Sequence, residues 1–530
     1  MNEWNDKSTE VLIVGAGPAG LMMACQLAIH QVSFRIIDKN ESSSKNSGAL
    51  IIQARSLEIF EQMGIAGEAL KEGIVANKVN FVYHGKKIVS TVIKDIGGSF
   101  SKFPFLLLLE QSKTEKLLLQ FIGERGYFVE RGIRFNSLIQ EKETTRSEVI
   151  LPDGSIQSII SRYVIAADGT NSTIRNLLNI PFEGKTYPKP IFILDCKAQT
   201  GLMPGEISFV FSNSSVAGFF PLADSRWRID SNLPPELESL ENITFEHIEK
   251  NFHAWTKMDF TFQGYEWFSV AHSHQKYAGS IRVQNCFLIG DSAHIHTPVG
   301  AQGMNTGLQD AFNLAWKIAL VTRHKMKAEL LDTYSTERLG ISKGFARYAD
   351  VVFKLVTSTN VLVKFFRLSL LRISLKVIFP LLEKRKTFRQ KFFKSISQTG
   401  IHYRNSLLSD GTQVGYFPPN APKPGDRLPY VEFFLIGKNT SSYEILDVVR
   451  FTLFVLANEL SDEIKDIAQI YNLAVALITQ HPETKKLHER LGITTTGYYL
   501  VRPDMHIALR SATLNASHLN NYLQKFLMGD

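Results

Sequence analysis

The chain has 530 residues, 44% of them hydrophobic, and a formal net charge of +8. This is enough apolar material for more than one core, and the length corresponds to about three or four domains. Between Asn360 and Gly400 ten Lys/Arg stand against one acid, Glu383, an excess of +9 that leaves −1 for the rest (8 − 9), so the body of the chain lacks the basic field a nucleic acid requires.

The N-terminal stretch MNEWNDKSTE lacks a basic-plus-apolar leader, and no apolar run reaches the ~18 residues of a membrane span. The expectation is a cytoplasmic protein. Cys25, Cys196 and Cys286 lie far apart and form neither a CxxC pair nor a metal spacing. They read as small buried hydrophobes.

The first predicted element is a strand, Val11–Val14, running into Gly15-Ala16-Gly17-Pro18-Ala19-Gly20 and then a helix with Leu21, Cys25 and Ala28 on one face. This is G-x-G-x-x-G in its meaningful context. Gly15 allows the tight turn, Gly17 lets the backbone approach a pyrophosphate, and Gly20 lets helix and strand pack closely. The N–H groups at the helix start attract phosphate charge. A second strand, Ser33–Ile37, ends at Asp38, eighteen residues after Gly20, where a carboxylate can accept hydrogen bonds from a ribose; Lys39 follows it. The fingerprint alone does not separate NAD from FAD.

Further along, Tyr163–Ala166 is a short strand leading into Ala167-Asp168-Gly169, with Ser172 and Arg175 beyond it. Next come four short alternating strands, Ile191–Lys197, Glu206–Ser212, Ser215–Leu222 and Arg226–Ser231, separated by Gly, Pro, Asn and Asp. Phe209, Phe211, Phe219, Phe220 and Trp227 make this sheet rich in aromatics, which suits a planar apolar ligand as well as a sheet core. Cys286–Ile289 is a strand ending in Gly290-Asp291. It leads through Pro298, Gly300, Gln302, Gly303, Met304, Asn305 and Asp310 into a helix over Ala311–Leu320. His294 and His296, two residues apart with no carboxylate beside them, make a poor metal site and read as loop packing; no metal is expected.

Taken together, the glycine fingerprint, the Asp-Gly motif and the Gly-Asp motif, in this order, resemble the class A flavoprotein monooxygenases, the p-hydroxybenzoate hydroxylase-like family. The segments Ile52–Ile65 and Leu109–Leu118 resemble that family as well. The resemblance implies FAD, with the cofactor-binding set Gly15, Ala16, Gly17, Pro18, Ala19, Gly20, Asp38, Lys39, Gln111, Asp168, Asp291, Pro298, Gly300, Gly303, Met304 and Asn305. In it Asp291 binds the ribityl chain, the backbone of residues 303–305 faces the ring, and Gln111 reaches the flavin side. Phe209, Phe211, Phe219, Phe220, Trp227 and Pro298 would line the substrate pocket. No residue is assigned as catalytic, because the flavin is the reagent: reduced by NADPH or NADH, it reacts with O2 to a C4a-hydroperoxide that hydroxylates a phenolic or polyketide-like aromatic. One departure concerns the nicotinamide partner. Relatives carry an Arg about seven residues before the position of Arg55, where this chain has Gly48, with Lys45 nearby. Lys is a point charge and not an equivalent of Arg.

The expected fold is α/β: a Rossmann-like FAD-binding domain (1–80, 105–185, 275–345) with an inserted antiparallel-sheet substrate domain (81–104, 186–274). Basic amphipathic linker helices over 346–400 follow, then a C-terminal thioredoxin-like domain (401–530). In the linker Asn360–Phe379 is apolar but for Lys364, Arg367, Arg372 and Lys376, so residues 360–394 suit either a solvated basic face or a weak membrane-surface contact. In the last domain strands are expected at Val448–Ala457, Ala474–Ile478, Tyr498–Arg502 and His506–Arg510, and helices at Asp462–Tyr471 and Ala516–Leu527. The resemblance there is to the tail of phenol hydroxylase-type members, without redox cysteines, in a monomer or homodimer. Two other functions stay open: a dehydrogenase or reductase on the same scaffold, and a flavin-binding redox sensor without turnover.

Overall fold

The computed structural model describes residues 8–43, 48–212, 216–238, 240, 242–297, 302–341, 343–344, 386–435 and 437–528. The first layer is a mainly parallel sheet. Its central strand, Ser8–Val14, lies between Ile156–Ala166 and Phe34–Asp38, parallel to both; Cys286–Leu288 and Val129–Arg131 extend it outward. Both faces are covered, so Val11, Leu12 and Ile13 are fully buried and the strand reads as an unbroken apolar run. Helix Pro18–Ile29 starts on a proline, whose missing N–H costs nothing at a helix start, and is buried from Gly20 to Ala28.

A second sheet of eight strands stands beside it, in the order His294–Ile295, Phe260–Ala278, Phe182–Thr200, Arg226–Asn232, Val216–Pro221, Glu206–Phe211, Lys78–Tyr83 and Lys86–Val92. Helix Phe245–Thr256 covers one face, packing Ile248 and Phe252 onto Phe192, Phe219, Trp227 and Ile229. The other face carries Ile207 and Phe220 into the core shared with the first layer. One strand is longer than the sequence pattern predicts, and another is not predicted by it. Phe182–Thr200 runs through Gly184, Pro188 and Pro190 by a register shift between Thr186 and Pro190, and such a bulge tolerates residues without a ladder N–H. Phe260–Ala278 is half exposed along most of its length, so it shows no clean apolar alternation.

Residues from 402 onward build a four-stranded sheet ordered Ala474–Ile478, Thr452–Leu456, Gly497–Val501 and Ile507–Ser511, with helices Asp462–Ile470, Lys485–Leu491 and Ala516–Phe526. The strand expected from Val448 begins at Thr452, because Asp447 accepts the N–H groups of Val449 and Arg450 and turns the chain there. Of the basic linker, 346–385 lies outside the described residues, including all of the amphipathic Asn360–Phe379 stretch. Its end, helix Lys386–Ile396, buries Phe393 against Gly97 of the body. Among the described residues no helix is long and apolar enough to cross a membrane.

Ion pairs without solvent contact join the C-terminal unit to the first layer. The Arg502 guanidinium donates to both oxygens of Glu337, at 2.7 and 2.9 Å, while Lys317 Nζ donates to Oε2 at 2.7 Å. All three side chains are fully buried. Burial alone would raise the Glu337 carboxyl, but the charges of Arg502 and Lys317 outweigh it and pull it from 4.5 down to about 2. Its stabilising contribution is therefore complete above pH 4.5 and is lost as pH falls toward 2. Glu337→Gln leaves buried Lys317 without its counter-charge and Arg502 with Asp504 alone, a loss of about 3–5 kcal/mol. Denaturant titration should show that loss at neutral pH and a flatter acid limb than wild type; an unchanged midpoint would contradict the coupling.

Candidate functional site

At the end of the first strand Gly15 has φ +104°, and a Cβ there would stand 2.3 Å from the Ala167 carbonyl oxygen. A Cβ on Gly20 would stand 1.9 Å from the Gly15 carbonyl oxygen. Both positions thus require glycine for packing. Gly17 differs: nothing lies within 4 Å of its Cβ position, so its missing side chain leaves open space at the helix start. No side chain caps this N-terminus. Its orphan N–H groups at Ala19 and Gly20 face that space with the dipole behind them. Asp38 is buried and holds the turn from the next strand, accepting from Ala16 N–H at 2.7 Å and Asn40 N–H at 2.8 Å. An ionised carboxylate has about four acceptor directions, which leaves capacity for a ribose. Lys39 beside it is exposed.

Two further turns converge here. Gly290 has φ +61°, and its Cβ would stand 2.8 Å from that of Ala19; a Cβ on Gly307 would stand 3.1 Å from Gly290 Cα and 3.3 Å from Ala19 Cβ. The Gly-Asp loop, the first helix and helix Gly303–Thr322 therefore meet at backbone distance. Asp310 fastens the loop from that helix: its Oδ2 accepts from Gly290 N–H at 3.1 Å and pairs with His294 Nε2 at 2.6 Å, and its Oδ1 accepts from Arg338 Nε at 2.7 Å. Burial would raise this carboxyl, yet His294 and Arg338 hold it below its ordinary value. His294 thus has a carboxylate partner, contrary to the sequence expectation, because the helix returns Asp310 from sixteen positions downstream.

Asp291 is open to solvent yet so surrounded that desolvation pushes its carboxyl up, as befits a group on the floor of a groove. Asp168 is also raised by burial; its Oδ2 accepts from Ile174 N–H at 3.2 Å while its buried Oδ1 has no partner. Arg175 ties the two loops, donating to Thr170 O at 2.8 Å and Ser292 O at 3.1 Å.

Helix Gly303–Thr322 has no side-chain cap, and Gly303 and Met304 at its start are half buried. The Asn305 side chain turns away from the groove. Its Oδ1 accepts from Gln53 N–H at 2.9 Å and Ser56 Oγ at 2.8 Å, and its Nδ2 donates to Ile51 O at 2.8 Å, so the side chain ties the helix start to the segment 51–56. Gln111 starts helix Gln111–Gly123, accepting from Ala49 N–H at 3.0 Å and donating to Glu115 at 2.9 Å. Pro298, Gly300 and Lys45 lie outside the described residues.

The expected aromatic wall divides between the two faces of the second sheet. Phe209 and Phe211 stack on Phe81, with centroids 5.9 and 6.2 Å apart, and Phe220 meets Phe209 edge-on at 6.0 Å, all on the face turned to the first layer. Phe219 and Trp227 do not belong with them. Strand alternation sends both to the opposite face, where Phe219 packs on Phe252 and Phe260 under the covering helix. Those two are core residues, and the substrate role expected for them is corrected.

Sequence reasoning also missed charges on the inner face. Arg226 binds both oxygens of Glu110, at 3.2 and 3.0 Å, bridging the two layers beside Gln111. Arg228 binds both oxygens of Asp195, at 2.7 and 2.6 Å. Asp230 follows on the same face. The signal was present in Arg226-Trp227-Arg228-Ile229-Asp230, where charged and apolar residues alternate with the strand period.

A groove with a bare glycine cradle, two uncapped helix starts, a buried orphan carboxylate oxygen and Asp291 on its floor fits an FAD. The comparisons agree. Residues 8–349 match the FAD binding domain family, and residues 421–528 match the aromatic-ring hydroxylase C-terminal family. An uncharacterized aromatic compound monooxygenase of Bacillus subtilis is 28% identical over 502 residues, covering 94% of this chain and 93% of that one. The 6-methylpretetramide 4-monooxygenase of Streptomyces rimosus is 27% identical over 536 residues, covering 97% and 93%. The structure of the flavin-dependent monooxygenase PieE, solved with FAD and substrate, has a similar fold at 20% identity, with a TM-score of 0.80 over 98% of both chains. This chain belongs to the FAD-binding aromatic-ring hydroxylases of class A, flavin-dependent monooxygenases acting on aromatic rings.

Gly17→Val fills the cradle without touching the protein. The expected outcome is at least a ~10-fold weaker FAD affinity in a fluorescence titration, about 1.4 kcal/mol, with apoprotein melting unchanged. Asp291→Ala should likewise lose FAD. Wild-type FAD affinity in either variant would contradict the placement.

Proposed function

We propose that this hydroxylase takes its electrons from NADPH or NADH and acts on a planar phenolic or polyketide-like aromatic. The observation that carries the reading is the inner face of the second sheet, where Phe81, Phe209, Phe211 and Phe220 line the side turned to the groove. Aromatic side chains hold a flat ring by offset and edge contacts. The substrates for which the two relatives are named, an aromatic compound and 6-methylpretetramide, support this class.

Bound FAD supplies the redox chemistry, passing electrons from the nicotinamide to O2 and delivering one oxygen atom to the ring. The chain does the rest. The N–H groups after Gly17 hold the pyrophosphate charge, and Asp38 and Asp291 accept from ribose and ribityl hydroxyls. The positive start of helix Gly303–Thr322 would favour negative charge on a flavin ring held against it. The bridge from Arg226 to Glu110 holds the sheet against the flavin-binding layer and keeps the space between them narrow, which limits water at the reacting ring.

The test is a panel of phenols and aromatic polyketides offered to the FAD-loaded protein with NADPH or NADH under air. A matching aromatic should stimulate nicotinamide oxidation and give a product one oxygen atom heavier by mass spectrometry. Stimulated oxidation with no oxygenated product would make the protein a reductase. Bound FAD with no stimulation by any aromatic would make it a sensor.

A further inference from the structure

Phe100, in the loop after strand Lys86–Val92, is a meeting point for three parts of the chain. From the linker helix Lys386–Ile396 the Lys394 ammonium stands 4.4 Å from the centre of its ring. From helix Lys485–Leu491 of the C-terminal unit the Arg490 guanidinium stands 5.5 Å from the same centre. Lys394 is held in place: Phe393 beside it is buried against Gly97, and its own carbonyl accepts from Gly400 N–H at 3.1 Å. The ring attracts each cation. Each also lies in the last turn of its helix, where carbonyl dipoles offset part of its charge.

Neither contact supplies a counter-charge. Among the described residues Lys394 and Arg490 have no carboxylate partner and no hydrogen-bond acceptor, although both are half-buried. The acids of this region are already committed. Glu58 accepts from Arg427 at 2.6 Å and Arg55 at 3.2 Å, and Asp426 accepts from Arg404 at 2.6 and 3.0 Å. Arg427 also donates to the Phe100 carbonyl at 3.0 Å, which brings a third cation to the same residue. Burial, then the charges of Arg490 and Arg427, pull the Lys394 ammonium below its ordinary value against the opposing pull of Asp426. Burial and Arg427 do the same to Arg490. The place thus holds a surplus of positive charge that the protein itself leaves uncancelled.

We propose that Lys394 and Arg490 form a site for a phosphate-class oxyanion, which ties the linker helix and the C-terminal unit to the loop at Phe100. A dianion matches two unpaired cations, whereas a single carboxylate would cancel only one. The Arg490 fork donates to two of its oxygens, and the Lys394 ammonium serves as a point charge. Lys394 stands four residues before Gln398, whose Nε2 donates to Gln302 O at 3.4 Å and Thr306 Oγ1 at 3.2 Å. The anion therefore steadies the segment that leads to the start of helix Gly303–Thr322. It arrives either as free inorganic phosphate or as the phosphate of a small organic molecule such as a nucleotide.

A plain stack of two cations on an aromatic ring would behave differently. There the charges add only attraction to the ring, so neutralising either one weakens the protein equally with and without an oxyanion. At an oxyanion site the same change relieves repulsion when chloride is the only anion, and it abolishes the gain that phosphate brings.

The experiment uses the FAD-loaded full chain at neutral pH, with ionic strength held constant by KCl. Inorganic phosphate, adenosine 5′-monophosphate and adenosine are titrated, and heat of binding and melting temperature are read. Phosphate is expected to bind saturably with a Kd of about 1 mM or tighter, and the melting temperature should rise with occupancy. Lys394→Met, which keeps the apolar stem on Phe100, and Arg490→Gln should each weaken binding at least about 10-fold without lowering the melting temperature in chloride alone. Lys394→Arg should retain the site. Tighter binding of the nucleotide than of phosphate, with adenosine silent, identifies a carried phosphate as the ligand; the reverse identifies the free anion. The site is overturned if neither phosphate nor the nucleotide binds saturably, or if both neutral variants keep wild-type affinity. A melting gain linear in phosphate and equal in wild type and variants also overturns it, being general exclusion of the salt from the protein surface. So does an equal loss of melting temperature by the variants in chloride and in phosphate.

Discussion

Everything at this site depends on backbone meeting backbone. Gly15 lies against Ala167, Gly20 against Gly15, and Gly290 against Ala19, at distances no Cβ could occupy, and Gly307 stands close to Gly290. Four stretches remote in sequence are thereby forced to one place: the glycine turn, the Asp-Gly loop, the Gly-Asp loop and the start of helix Gly303–Thr322. A pyrophosphate needs N–H groups that no side chain screens, and only such close approach makes them converge. The same contacts explain why the glycines divide into two kinds. Gly15, Gly20 and Gly290 serve the packing, whereas Gly17 has nothing within 4 Å of its Cβ position.

The second sheet separates its duties by strand alternation. One face gives its aromatics to the helix above and is an ordinary core. The other holds a smaller aromatic set with a line of charges, Arg226, Arg228 and Asp230, against the flavin-binding layer. Charges behind a cofactor groove are costly, and here they are largely held in bidentate pairs with Glu110 and Asp195. A comparable buried set, Lys317, Glu337, Arg502 and Asp504, stands between the flavin helix and the C-terminal unit. Lys317 lies on the helix whose first turn faces the groove, so these pairs couple the C-terminal unit to that helix.

Much of this was legible in the chain. Strands such as Ala474–Ile478 fell where periodicity put them, and the glycine motifs announced the groove because their chemistry is local. Aromatic content carries no parity, so it does not show that Phe219 and Trp227 turn to the covering helix: in a strand, the neighbour of a wall residue belongs to the other side. The partner of His294 was invisible for another reason, since Asp310 returns to it only through a helix. Phe260–Ala278 escaped because a half-exposed strand has no reason to alternate. What sequence conceals, in each case, is which face a residue turns to and what long-range packing brings against it.

The glycine cradle and the Gly-Asp loop would together grip both halves of one dinucleotide. The decisive measurement is equilibrium titration of the apoprotein with FAD, FMN and riboflavin. Saturable binding of one FAD per chain is expected, with FMN and riboflavin weaker by at least about 100-fold because they lack the ADP half that the cradle around Gly17 would hold. Equal affinity for FMN, or no flavin binding at all, would contradict it.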